Sequence, residues 1–86
     1  MKKLIEVTQN DINEGMPKSP WGCPIQRAIG RTLNIKPSVL GDHWREKQED
    51  LYSKTHSLPR SVQRFIKKFD HNKPVKPFNF YVDYEP

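Results

Sequence analysis

A chain of 86 residues that is only 34% hydrophobic can build one modest core, so it is read as a single domain spanning 1–86. A formal charge of +5 and a pI near 9.5 make it basic and point toward acidic partners. The lone cysteine, Cys23, excludes an internal disulfide, and no apolar run approaches the roughly 20 residues of a membrane span.

Eight prolines and a mean hydropathy of −0.90 suggest disorder. The apolar residues, however, are gathered into periodic segments, which predicts a folded domain with loose loops. The start of the chain meets Glu6 after two apolar residues, too early for a secretory core, so a cytoplasmic location is expected. From Lys3 to Thr8, Ile5 and Val7 alternate with Glu6 and Thr8 and predict a strand. Thr8 followed by Asp11 reads as an N-cap signal and Gly15 as a C-cap, giving one or two helical turns over Gln9 to Glu14 around Ile12. Met16 to Gly22 reads as an irregular loop, with Trp21 expected beneath it as a core plug, the alternative being an exposed binding platform. Pro24 opens a second helix whose buried stripe is Ile25, Ala28, Ile29 and Leu33, with Arg27 and Arg31 opposite. Gly30 weakens that helix and suggests close packing against a neighbour.

Asn34 to Pro37 ends this helix. From Ser38 to Ser57 the pattern predicts an irregular hairpin, its inward side formed by Val39, Trp44, Leu51 and Tyr52. The acidic residues Asp42, Glu46, Glu49 and Asp50 are placed at its tip, and a polar mobile loop is the alternative.

The strongest amphipathic pattern is Pro59 to Asp70. Val62, Phe65, Ile66 and Phe69 share one face, while Arg60, Arg64, Lys67 and Lys68 centre roughly 160° away, at about 100° per residue. Ser57 or Leu58 is the expected cap, with Pro59 in the first turn, and His71, Asn72 and Pro74 stop the helix. Lys73 to Pro77 then reads as a stiff extended connector. Phe78, Phe80, Val82 and Tyr84 alternate with polar or outward residues as a half-buried strand, whose natural partner is the N-terminal one. The expected architecture is α+β, two helices on a small, mostly antiparallel sheet that includes both terminal strands.

Chemistry finds few footholds. Cys23 sits just before a helix start, where the dipole favours a thiolate, but a small packed side chain is the preferred reading. His43, His56 and His71 lack paired ligand spacing, so no metal site or cofactor is expected. No nucleophile elbow, phosphate loop or dinucleotide motif occurs, and no catalytic residue is assigned. Between Arg60 and Lys76 there are six basic residues against one acidic residue, Asp70. Arg60, Arg64, Lys67, Lys68, Lys73 and Lys76 therefore form the candidate contact with phosphates or an acidic partner, the alternative being a solvated face. Trp21, Arg27, Arg31, Trp44 and Tyr52 are candidate secondary contacts.

The order of four blocks resembles a loose group of small bacteriophage and bacterial proteins. The blocks are Ile5-Glu-Val-Thr-Gln-Asn-Asp-Ile12 with Gly15, Cys23-Pro-Ile-Gln-Arg-Ala-Ile29, Phe65-Ile-Lys-Lys-Phe-Asp70 and Pro74-Val-Lys-Pro-Phe-Asn-Phe80. About half the chain is covered, leaving out Lys36 to Ser57. The group carries no established catalytic residues, so no residue roles transfer. The resemblance implies an accessory protein that binds and inhibits or modulates a host macromolecule, for example a defence nuclease. Low-specificity DNA or RNA binding is the competing expectation.

Overall fold

A computed structural model of the chain describes residues 1–46 and 54–85. The elements run β1 (Lys2–Val7), α1 (Gln9–Glu14), α2 (Pro24–Leu33), β2 (Ser38–Val39), β3 (His43–Arg45), β4 (Thr55–Ser57), α3 (Arg60–Asp70) and β5 (Phe78–Asp83). The fold is α+β, with the two terminal strands paired as expected. β1 and β5 run antiparallel, with Ile5 opposite Phe80 and Lys3 opposite Val82. Their period of two buries Ile5, Val7, Phe80 and Val82 and leaves Leu4 and its cross-strand partner Tyr81 on the outer face.

The sheet is divided: β2, β3 and β4 form a separate antiparallel sheet in that order. Pairing places Trp44 opposite Val39 on one side and His56 on the other. Trp44 is fully buried and stacks on His56 at 4.2 Å. The strand β4 has no sequence signature, because Thr55-His56-Ser57 carries no apolar alternation; its pairing with β3 makes it a strand. Leu51 and Tyr52, expected on the inward side, lie outside the described residues, as do Glu49 and Asp50. Glu46 is buried instead of lying at a solvated tip, with a carboxylate oxygen 2.6 Å from His56 Nε2.

α1 forms where the capping signal places it. Thr8 Oγ1 accepts from Asp11 N–H and Asp11 Oδ2 accepts from Thr8 N–H, at 3.1 and 2.9 Å. The residue α1 buries completely is Asp11, and Ile12 is half-buried. Arg31, from α2, reaches over with two bonds to the Asp11 carboxylate, 2.6 and 2.9 Å, and a third to the Glu6 carbonyl at 2.8 Å. Arg27 Nε lies 3.6 Å from the same carboxylate. This cluster binds the end of β1, the start of α1 and one face of α2 together.

Two glycines permit the close approaches. A Cβ on Gly15 would lie 2.7 Å from both the Asp11 carbonyl and the Pro24 ring, so α1 hands over to α2 only with no side chain there. A Cβ on Gly30 would lie 3.0 Å from the Ile35 carbonyl, which confirms close packing of the returning chain against α2. α2 ends as Asn34 enters the left-handed region at φ 55°.

α3 lays Val62, Phe65 and Ile66 into the core, with Phe69 half-buried. Its N-cap is Pro59, one or two residues later than expected, because Ser57 is committed to β4 and Leu58 N–H is bonded to the Asp42 carbonyl at 3.0 Å. No side chain caps this end, and the helix depends on packing. Phe65 meets Phe78 at 4.9 Å, joining α3 to β5.

Burial pushes the Asp11 carboxyl up, but the Arg31 and Thr8 hydrogen bonds outweigh it and hold the folded value below the ordinary 3.8. A lowered folded pKa stabilises the fold above the unfolded value, and that stabilisation is lost as pH falls through the folded one. Asp11→Asn is therefore expected to cost about 1–3 kcal/mol near neutral pH, read from urea midpoints, because an NH2 replaces one of the buried oxygens that accept from Arg31 and Thr8. The gap between wild type and variant is expected to narrow below about pH 4; a gap independent of pH contradicts the assignment. Gly15→Ala is expected to lower stability by about 1–3 kcal/mol in the same measurement.

Candidate anion-binding surface

α3 is positioned by its apolar face, which leaves its cations on the opposite side turned to solvent. Arg60, Arg64, Lys67 and Lys68 are all exposed, as are Lys73 and Lys76 on the connector. Among the described residues, none of these six makes an ion pair. Lys67 and Lys68 lie in the last turn, where the carbonyl end of the helix favours them. His71 closes the helix, its Nδ1 2.7 Å from the Lys67 carbonyl oxygen, and adds an imidazole ring beside the cations.

The ridge is flanked by two concavities. One, of about 690 Å³, lies along Arg60, Gln63, Arg64 and Lys67 and includes Asp70 and His71. Asp70 brings a negative charge into it, although its Oδ1 already accepts from Lys18 N–H at 2.8 Å. The other, of about 370 Å³, lies between α3 and the connector, where Arg64, Lys68 and Lys76 surround Phe65, Val75 and Phe78. Among the described residues, no carboxylate lines it. Sequence periodicity located the cations of the ridge but not this groove, because the groove exists only once Pro74 to Pro77 turn back along the helix; the signal available was the pair of prolines bracketing Val75.

The secondary contacts fare differently. Arg27 and Arg31 do not extend the cationic ridge, since both guanidinium groups lie against Asp11. Trp44 is fully buried and offers no contact surface. Trp21, expected as a core plug, is 58% exposed. Its loop is fastened by the backbone, with Met16 N–H bonded to the Gly22 carbonyl and Val39 N–H to that of Pro20. Trp44 fills the core in its place. Tyr52 lies outside the described residues.

Cys23 is the N-cap of α2, its Sγ accepting from Gln26 N–H at 3.4 Å. Burial pushes the thiol above its ordinary 9.0, outweighing the hydrogen bonds that lower it. Asp42 and His43 form a neighbouring pair at 2.6 Å, and the hydrogen bond from the ring holds the Asp42 carboxyl below its ordinary value. Among the described residues no group of three or more His, Cys, Asp or Glu is placed to hold a metal ion, and no helix is long and apolar enough to cross a membrane.

Compared with family models, curated proteins and solved structures, the chain matches none. The functional reading therefore rests on the surface itself.

At pH 7.5 the folded chain is expected to resist alkylation of Cys23 by iodoacetamide and to react fully in denaturant, as followed by mass spectrometry. Rapid labelling of the native chain contradicts a buried capping thiol.

Proposed function

We propose that this chain is a non-enzymatic accessory protein that docks through the cationic face of α3 onto an acidic surface of a host macromolecule and so occupies or modulates it. The observation that carries this reading is the contrast in charge pairing. Arg27 and Arg31 both face the Asp11 carboxylate, whereas Arg60, Arg64, Lys67, Lys68, Lys73 and Lys76 have no ion-pair partner among the described residues. Like charges gathered on one helix and its connector repel one another, and a polyanionic partner relieves that repulsion. A host protein, for example a defence nuclease, is the proposed object of binding.

A second reading, low-specificity DNA or RNA binding, draws on the same unpaired cations. Base-specific reading finds little support beside the ridge. The Gln63 amide donates to the Leu58 carbonyl at 2.8 Å, which leaves Ser61 as the neighbouring polar side chain on the groove lining. Such binding would weaken steeply with salt, with log K falling by about 0.9 per phosphate neutralised in duplex DNA.

The combined variant Arg64→Glu/Lys67→Glu is expected to keep the wild-type circular dichroism spectrum and to lose about a hundredfold in affinity for the partner. Capture from host lysate with and without nuclease identifies the partner class. Nuclease-resistant capture of a protein that the variant loses supports the first reading. Capture that disappears with nuclease moves the function to nucleic acid, and capture unchanged by charge reversal removes α3 as the contact.

A further inference from the structure

The groove between α3 and the Pro74–Pro77 connector has an organisation that a simple phosphate-binding ridge does not need. Its floor is apolar, formed by Phe65, Val75 and Phe78, and its rims carry Arg64, Lys68 and Lys76. Its volume of about 370 Å³ exceeds what one buried side chain fills. The neighbouring concavity on the far side of Arg64 contains Asp70, so the two sides of the helix differ in the charge they accept.

We infer that this groove is a docking site for an acidic peptide segment that inserts one apolar or aromatic side chain between α3 and the connector. The inference rests on the reading of α3 as an anion-binding face and specifies the chemistry of its partner. Charge complementarity sets the acidic character: among the described residues every ionisable side chain lining the groove is a cation, and none of the three has an ion-pair partner. The floor sets the anchor, because half-buried Val75 and Phe78 gain from removal of their remaining surface from water, which a phosphate does not accomplish. A nucleobase fits less well. Phe65 is only 7% exposed and offers no open ring face for stacking, and the Ser61 hydroxyl is the sole neutral polar side-chain group on the lining. The prolines at 74 and 77 restrict the connector, so the floor is held in place before a ligand arrives.

The test uses the full chain and two fluorescein-labelled peptides of Asp and Glu, one with a single central Phe and one with Ser there, together with labelled oligo-dT. Anisotropy titration is expected to show the Phe peptide binding about tenfold more tightly than the Ser peptide. In Val75→Ser, checked for an unchanged circular dichroism spectrum, that preference is expected to disappear while the Ser peptide binds as before. In the wild type, the Phe peptide alone is expected to shift the Val75 methyl resonances. Equal affinity for both peptides, with no shift at Val75, overturns the groove while leaving the cationic ridge standing. Tighter binding of oligo-dT than of the Phe peptide also overturns it, in favour of nucleic acid. Failure of both acidic peptides to bind at low salt overturns the groove and the anion-binding reading together.

Discussion

The structure depends on a buried carboxylate. Asp11 is wholly removed from solvent at the junction of β1 and α1, where an unpaired charge would cost several kcal/mol. It is tolerable only because Thr8 N–H and the Arg31 guanidinium satisfy both oxygens. That requirement fixes α2 against the end of β1, since Arg31 must arrive from the third residue before the C-terminal cap. With α2 placed, Ile25, Ala28 and Ile29 face Ile5 and Val7 in one core. Gly15 and Gly30 then become the points where neighbouring chain passes too close for a side chain.

The same interaction divides the positive charge of the chain into two kinds. Arginines on α2 answer an internal need, since both guanidinium groups turn to the buried Asp11 carboxylate. The cations of α3 and the connector answer no internal need, because the helix is held by Val62, Phe65 and Ile66 on its opposite face. A helix whose first turn has neither a side-chain cap nor an acidic residue forgoes two ordinary sources of local stability. Its polar face is thus not arranged for the benefit of the helix. The second sheet makes the converse use of charge: Glu46 and His56 meet at 2.6 Å beside Trp44, turning part of an acidic segment into core structure.

What was legible in the sequence was whatever depends on near neighbours. The capping box of α1, the proline-started α2, the stripe of α3 and the alternation of β5 all stand where residue spacing puts them, because helix and strand periods act over a few residues. What escaped was decided across the chain. Nothing around Arg31 announces a partner twenty residues earlier, so it read as surface charge. Trp21 and Trp44 are one residue type in two similar polar segments, and only strand pairing buries one and leaves the other on a loop. Thr55 to Ser57 has no strand pattern of its own and owes its conformation to β3. The cations of the candidate surface were legible individually; the apolar floor between them was not, since it joins Phe65 to residues at 75 and 78 across a chain reversal.

The pairing of β1 with β5 carries a consequence for how the molecule is made. Lys2 lies opposite Asp83, so the central ladder closes between segments almost the whole chain apart. The entropy of closing so long a loop must be met before those contacts return anything, which places folding among the slower small domains. During synthesis, β1 leaves the ribosome with α1 and α2 but without its strand partner, and its backbone edge stays open until Phe80 and Val82 emerge. Until then β1 is an unpaired edge with an apolar face, the state most exposed to wrong strand partners. The lysines at positions 2 and 3 lie on that edge, where their charge discourages such pairing while the chain waits for its last strand.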